Sequence, residues 1–179
     1  MALSDKQRGV LRGVLVGAVI TVVALGASVA FSPISLIPDP SLGERLAFVL
    51  KADTLIVVWL AICVARLGQH RFSTPEDIDG GGLSTGSQQA HVLQSILQNS
   101  LEQTVLAVLV HTIWAVVMPL SWVPAVLAAA ILFFLGRILF SRGYSSGAPS
   151  RALGFALTFY PSLLMLLLVV VTVVLKLMD

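Results

Sequence analysis

Residues 152–175 read ALGFALTFYPSLLMLLLVVVTVVL, 24 consecutive positions without a charged side chain. A helix needs roughly 20 such residues to cross the hydrocarbon of a bilayer, which offers no partner to a free backbone N–H or C=O. The rest of the chain agrees with that stretch. Of 179 residues, 57% are hydrophobic and 11% charged, with a mean hydropathy of +0.96, a composition that a soluble core cannot absorb.

Working outward, four more apolar stretches emerge, and the sequence predicts an all-α integral membrane protein with five spans. The first runs from Arg8 to about Ile34 and is broken by Pro33, Pro38 and Pro40, since proline lacks the N–H that a helix interior needs. Ser28-Val29-Ala30 resembles a signal-peptidase site, but Gly13 to Ala30 exceeds the ~7–15 residues of a signal core, so a retained helix is expected. The second helix is expected from Leu42 to Leu67, with Lys51 and Asp53 facing water or protein, and a polar, glycine-rich loop from Gly68 to Gln89. The third runs from Ala90 to Met118, the fourth from about Val123 to Tyr144 and the fifth from about Ala152 to Met178. Lys6, Arg8 and Arg12, then Arg66 and Arg71, then Arg137, Arg142 and Arg151 gather at alternate turnings. Cytoplasmic flanks carry such an excess, which predicts a cytoplasmic N-terminus and a C-terminus outside.

Against this background the polar residues inside the spans stand out. His91, Ser95, Gln98, Asn99 and Glu102 recur at the three- and four-residue spacing that shares a helix face, Arg137, Ser141 and Tyr144 repeat it on the fourth helix, and Arg151 and Thr158 lie two turns apart on the fifth. A carboxylate within a span costs roughly 2.5 kcal/mol or more and normally faces a bundle interior or wet cavity. Glu102 therefore needs a partner, either a ligand-binding set or a structural ion pair with Arg137. Arginines lining a cavity favour an anionic ligand, because the guanidinium is always charged and grips carboxylates in a fork.

Other chemistries find little support. A net charge of +2 with dispersed Lys and Arg does not suit phosphate-backbone binding, so no nucleic acid partner is expected. Cys63 is the single cysteine and reads as an inert helix residue. His70, His91 and His111 share no metal-ligand spacing, and His111 reads as an interhelical hydrogen-bonding group.

Three stretches, RLGQHRFSTPED (66–77), QSILQNSLEQ (94–103) and LGRILFSRGYSSGAPSRALGFALTFYP (135–161), together resemble the MAPEG family, the membrane-associated proteins of eicosanoid and glutathione metabolism. The resemblance implies a four-helix bundle over residues 42–179, preceded in residues 1–41 by an extra N-terminal transmembrane helix and turn. It also implies a homotrimer in a bacterial inner membrane, among lipids, with glutathione held between subunits near the cytoplasmic side. It assigns glutathione positioning to Arg66, Asn99, Glu102, Arg137 and Tyr144, and thiolate stabilisation to Arg151. The implied function is transfer of that thiolate to a lipophilic small molecule, or reduction of a lipid hydroperoxide. Ser95 and Gln98 stand where relatives tend to carry arginines, and Gln103 and Phe140 also depart from the pattern. These departures motivate an alternative, a non-enzymatic membrane protein whose arginine-lined pocket takes lipid head groups or another anion.

Overall fold

The computed structural model describes residues 3–178, and among these every regular element is helical. The long helices are α1 (Asp5–Phe31), α2 (Leu42–Ser73), α3 (Gln88–Val117), α4 (Ala125–Gly143) and α5 (Ala148–Met178), joined by single turns of 3₁₀ helix. All five spans are long and apolar enough to cross a membrane. Their outward faces carry Leu15, Val19, Val57, Val64, Leu167 and Val171, the apolar surface that a lipid solvent requires.

Helices α2 to α5 form the bundle. Val49, Ile56, Trp59 and Cys63 of α2 meet Ile96, Ala107, Val110 and Trp114 of α3, Val126, Ala129 and Phe133 of α4, and Met165 and Val169 of α5 in one continuous core. Small residues let α4 and α5 approach closely: a Cβ on Gly136 would lie 2.8 Å from the Gly154 carbonyl oxygen, so the glycine pair sets the spacing.

Helix α1 packs on α5 and, less extensively, on α4. A capping box starts it, with Ser4 Oγ accepting from the Gln7 N–H and Gln7 Oε1 accepting from the Ser4 N–H. Its buried residues, Gly17, Thr21 and Leu25, continue a stripe begun by Gly9 and Gly13. A Cβ on Gly9 would stand 2.9 Å from Pro149 Cβ, and one on Gly13 would stand 3.0 Å from Ala152 Cβ. The stripe thus seats α1 on the first turns of α5.

Several boundaries differ from those expected. Helix α1 ends at Phe31, before Pro33. Helix α2 continues past Gly68 to Ser73, where the residue before Pro75 is pushed to extended backbone and His70 and Arg71 complement the helix C-terminus. Helix α3 starts at Gln88, capped by Ser87, so the loop is shorter than the polar composition suggests. Helix α5 starts at Ala148, because proline is tolerated in a first turn, and Arg151 lies inside the helix. Pro161 removes one backbone bond, yet α5 is helical through it.

Buried polar groups tie the bundle together. Asp53 is 2% exposed and its Oδ1 lies 2.6 Å from His111 Nδ1, which supplies the interhelical bond expected of His111 and turns Asp53 to protein, one of the two environments expected for it. Lys51 is the exposed member of that pair of charges. Trp59 Nε1 donates to Ser100 Oγ at 3.2 Å, linking α2 to α3. At the end of the bundle where α2 starts, Arg45 donates to the Met118 carbonyl and Trp114 Nε1 donates to the Trp122 carbonyl at 2.9 Å.

Candidate functional site

Arg137 is the organising residue. It is fully buried on α4, a position where a charge is tolerated only with donors and acceptors arranged around it. Its Nη1 donates to Asn99 Oδ1 at 2.8 Å and its Nη2 to Thr158 Oγ1 at 2.6 Å, so one guanidinium joins α3, α4 and α5. The Phe140 ring lies beneath it, 4.4 Å from the guanidinium carbon, a geometry that stabilises a desolvated cation. Its Nε has no protein partner. The resemblance implies a polar or tyrosine side chain at Phe140; the phenylalanine here supplies an aromatic platform without a polar group.

Asn99, held by Arg137, forms part of the wall of a cavity of about 420 Å³. Phe140, Tyr144, Ala148, Arg151, Ala152 and Phe155 complete the wall, together with Val10 and Val14 from α1. The Arg151 guanidinium lies 4.3 Å from the centroid of the Tyr144 ring, and Tyr144 packs edge-on against Phe140. Ring packing therefore holds a half-buried cation at the cavity. The polar groups are few and convergent, within a largely apolar lining, as in small-molecule sites generally.

The remaining residues of the expected set lie elsewhere. Arg66 is exposed on α2 and donates from Nη1 to Ser141 Oγ at 3.1 Å, one turn along α4 from Arg137. Glu102 is exposed, accepts only from Gln98 Nε2 at 3.0 Å, and makes no ion pair with Arg137. Asn99 and Glu102 are three residues apart, which separates them by about 60° around a helix, enough for one to reach the interior while the other faces out. The structural ion pair considered for Glu102 is thus replaced by the Asn99–Arg137–Thr158 network. Ser95 is half-buried and Gln98 exposed, while Gln103 is buried with its Oε1 lacking a protein partner.

A second polar centre lies in the α2–α3 loop, outside the spans. Asp77 is buried; it accepts from the Ser87 N–H and from Ser87 Oγ, both at 2.6 Å, and its Oδ2 lies 2.9 Å from His70 Nε2. Hydrogen bonds from the Ser87 hydroxyl and backbone, with His70 beside them, hold the Asp77 carboxyl below the usual carboxylate range. Although Ser, His and Asp meet here, Ser87 gives its proton to Asp77 and accepts from the Ala90 N–H. His70 Nε2 also lies 3.2 Å from Ser87 Oγ, but the same nitrogen faces Asp77 Oδ2 at 2.9 Å and the hydroxyl proton is committed to that carboxylate, so the order of a nucleophile, base and orienting carboxylate is not formed. Arg71 donates to Gln94 Oε1, and His91 Nε2 lies 2.7 Å from the Thr85 carbonyl oxygen. The centre is a latch that closes the loop onto α3. Among the described residues no three His, Cys, Asp or Glu side chains converge as metal ligands.

Sequence reasoning missed the contribution of α1 to the cavity, because Val10 and Val14 are ordinary residues of an apolar run. It missed the latch because the residues are spread over 70–87 without a recognisable spacing. The pairing of Asp53 with His111 carried a signal: two ionisable residues in adjacent spans need a shared partner.

The family model of the MAPEG family matches residues 46–171, which covers α3 and α4, almost all of α2, and α5 up to Val171. Arg66, Asn99, Glu102, Arg137, Tyr144 and Arg151 all fall inside the match, and α1 falls before it. No curated protein and no solved structure matches the chain. With the match spanning more than half of its length, on four of five helices, the chain belongs to the MAPEG family.

Proposed function

We propose that this membrane protein binds glutathione or a related thiol and delivers its thiolate to a lipophilic electrophile, or uses it to reduce a lipid hydroperoxide. The observation that carries the reading is Arg151, held over the Tyr144 ring at a cavity that also presents Asn99. Glutathione, when bound, supplies the sulfur nucleophile and two carboxylates. Arg151 lowers the pKa of a thiol beside it by favouring the charged form. Tyr144 orients that guanidinium, and Arg137, through Asn99, fixes an amide at the cavity wall. The Arg151 guanidinium and the Asn99 amide suit an anionic ligand in this volume. The apolar remainder of the lining suits a membrane-derived second substrate.

The same reading accounts for Glu102 and Arg66. An exposed carboxylate near the middle of α3 is costly in lipid, so the outward face bearing Gln98 and Glu102 is where a neighbouring subunit fits. A homotrimer with its N-termini cytoplasmic would complete the site there. Because Gln98 is uncharged and engages Glu102, and Ser95 is short, two charge-assisted contacts of about 1.5–3 kcal/mol each are absent. Weak, millimolar-range binding of glutathione is the expected result. Calorimetric titration of the purified protein with millimolar glutathione, together with conjugation of a model aryl halide, tests the reading. Absence of both heat and product would overturn it, and tightly retained phospholipid that glutathione fails to displace would point to an anion-binding membrane protein instead.

A further inference from the structure

Helix α1 lies before the family match and yet forms part of the Arg151 cavity, through Val10 and Val14. A second, more apolar hollow of about 430 Å³ adjoins it and is bounded by Leu3, Lys6 and Leu11 as well as by Val10, Val14 and Ala148. The last three residues belong to both cavities, so the two hollows meet along one side of α1. From Leu3 to Val14 this side extends ~16 Å along the helix axis. Helix α1 has little room to shift toward α5, because Gly9 and Gly13 seat it on Pro149 and Ala152, on either side of Arg151 in the sequence.

We propose that α1 is a wall of the ligand site, and that Val10 and Val14 set the size of the apolar group accepted beside Arg151. The ligand class is an anionic amphiphile, with its charged end at Arg151 and Asn99 and its alkyl part against Val10, Val14 and Phe155, continuing into the adjoining hollow. This rests on the preceding reading for the anionic end only, and it does not require that the anion be glutathione.

The test measures binding to the full chain in nanodiscs with two water-soluble series, S-methyl- and S-hexylglutathione, and butyl- and octylphosphonate. In the wild type the longer member of a series binds tighter. Val10→Phe and Val14→Phe each remove that gain, weakening the longer member about tenfold, and leave the shorter member unchanged. Val10→Ala and Val14→Ala, which widen the cavity, extend the gain of the longer member and serve if the larger side chains impair folding. Arg151→Gln weakens both members of a series alike. The proposal is overturned if chain-length preference is the same in all four valine variants as in the wild type, or if neither series binds. If the phosphonates show the valine-dependent gain while the glutathione conjugates do not bind, α1 remains a wall of the site and the glutathione reading falls.

Discussion

Arg137 shows how a single residue can be both a structural joint and part of a site. Removing one of its acceptors isolates the first role: Thr158→Val leaves a buried Nη2 without a partner and is expected to cost about 1–3 kcal/mol, read as a lower unfolding midpoint in detergent. Arg151 isolates the second role. Arg151→Gln should reduce conjugation about tenfold or more, as one unit of thiol pKa implies, and move the pH–rate profile upward, with Lys restoring part of the loss. An unchanged profile would remove Arg151 from thiol activation. Much of this site was legible, since Asn99, Arg137, Thr158 and Arg151 are polar residues in apolar helices and such residues must converge. The direction of Glu102 was not legible, because one helical turn of three or four residues leaves the choice between interior and exterior to tertiary packing.

At the level of elements, apolar length located the five helices, whereas composition misjudged their ends. Gly68 and the run of polar residues after it signal a loop, yet α2 persists to Ser73, because exposed polar side chains on a helix end are compatible with continued backbone bonding. The loop that remains is held by Asp77, and the direction of its shift fixes the pH response. A folded-state pKa below the unfolded value contributes stability that is present above the unfolded pKa and is lost as pH falls through the folded one. Amide exchange over residues 74–87 is therefore expected to accelerate selectively on acidification below the usual carboxylate range. Asp77→Asn should show fast exchange already at neutral pH; protection equal to the wild type there would contradict the latch. For α1, Gly13→Leu should lift the helix from α5, read as a loss of cross-linking between cysteines introduced at Gln7 and Ala148, which line one hollow, in a Cys63→Ala background, with the α2–α5 bundle still folded.

For the molecule as a whole, the exposed Gln98–Glu102 face leads to one further expectation. Mass measurement in nanodiscs should give a trimer, and Glu102→Leu should change its stability without altering the monomer fold; a chain that remains monomeric in nanodiscs would exclude an intersubunit site. Sequence could indicate the family but not the place of α1, whose apolar surface, uniform in sequence, names no partner. That placement has a consequence for biosynthesis. Helix α1 is seated on α5, and ~140 residues separate Gly13 from Ala152, a delay of roughly 7–28 s at typical rates of translation. During that interval α1 must wait in the bilayer without its partner, which its lack of charge from Gly13 to Phe31 permits. Arg137 has no such freedom: Asn99 is already present when it enters the membrane, but Thr158 arrives only with α5. Completion of α5 is thus the step that both satisfies the buried cation and docks α1.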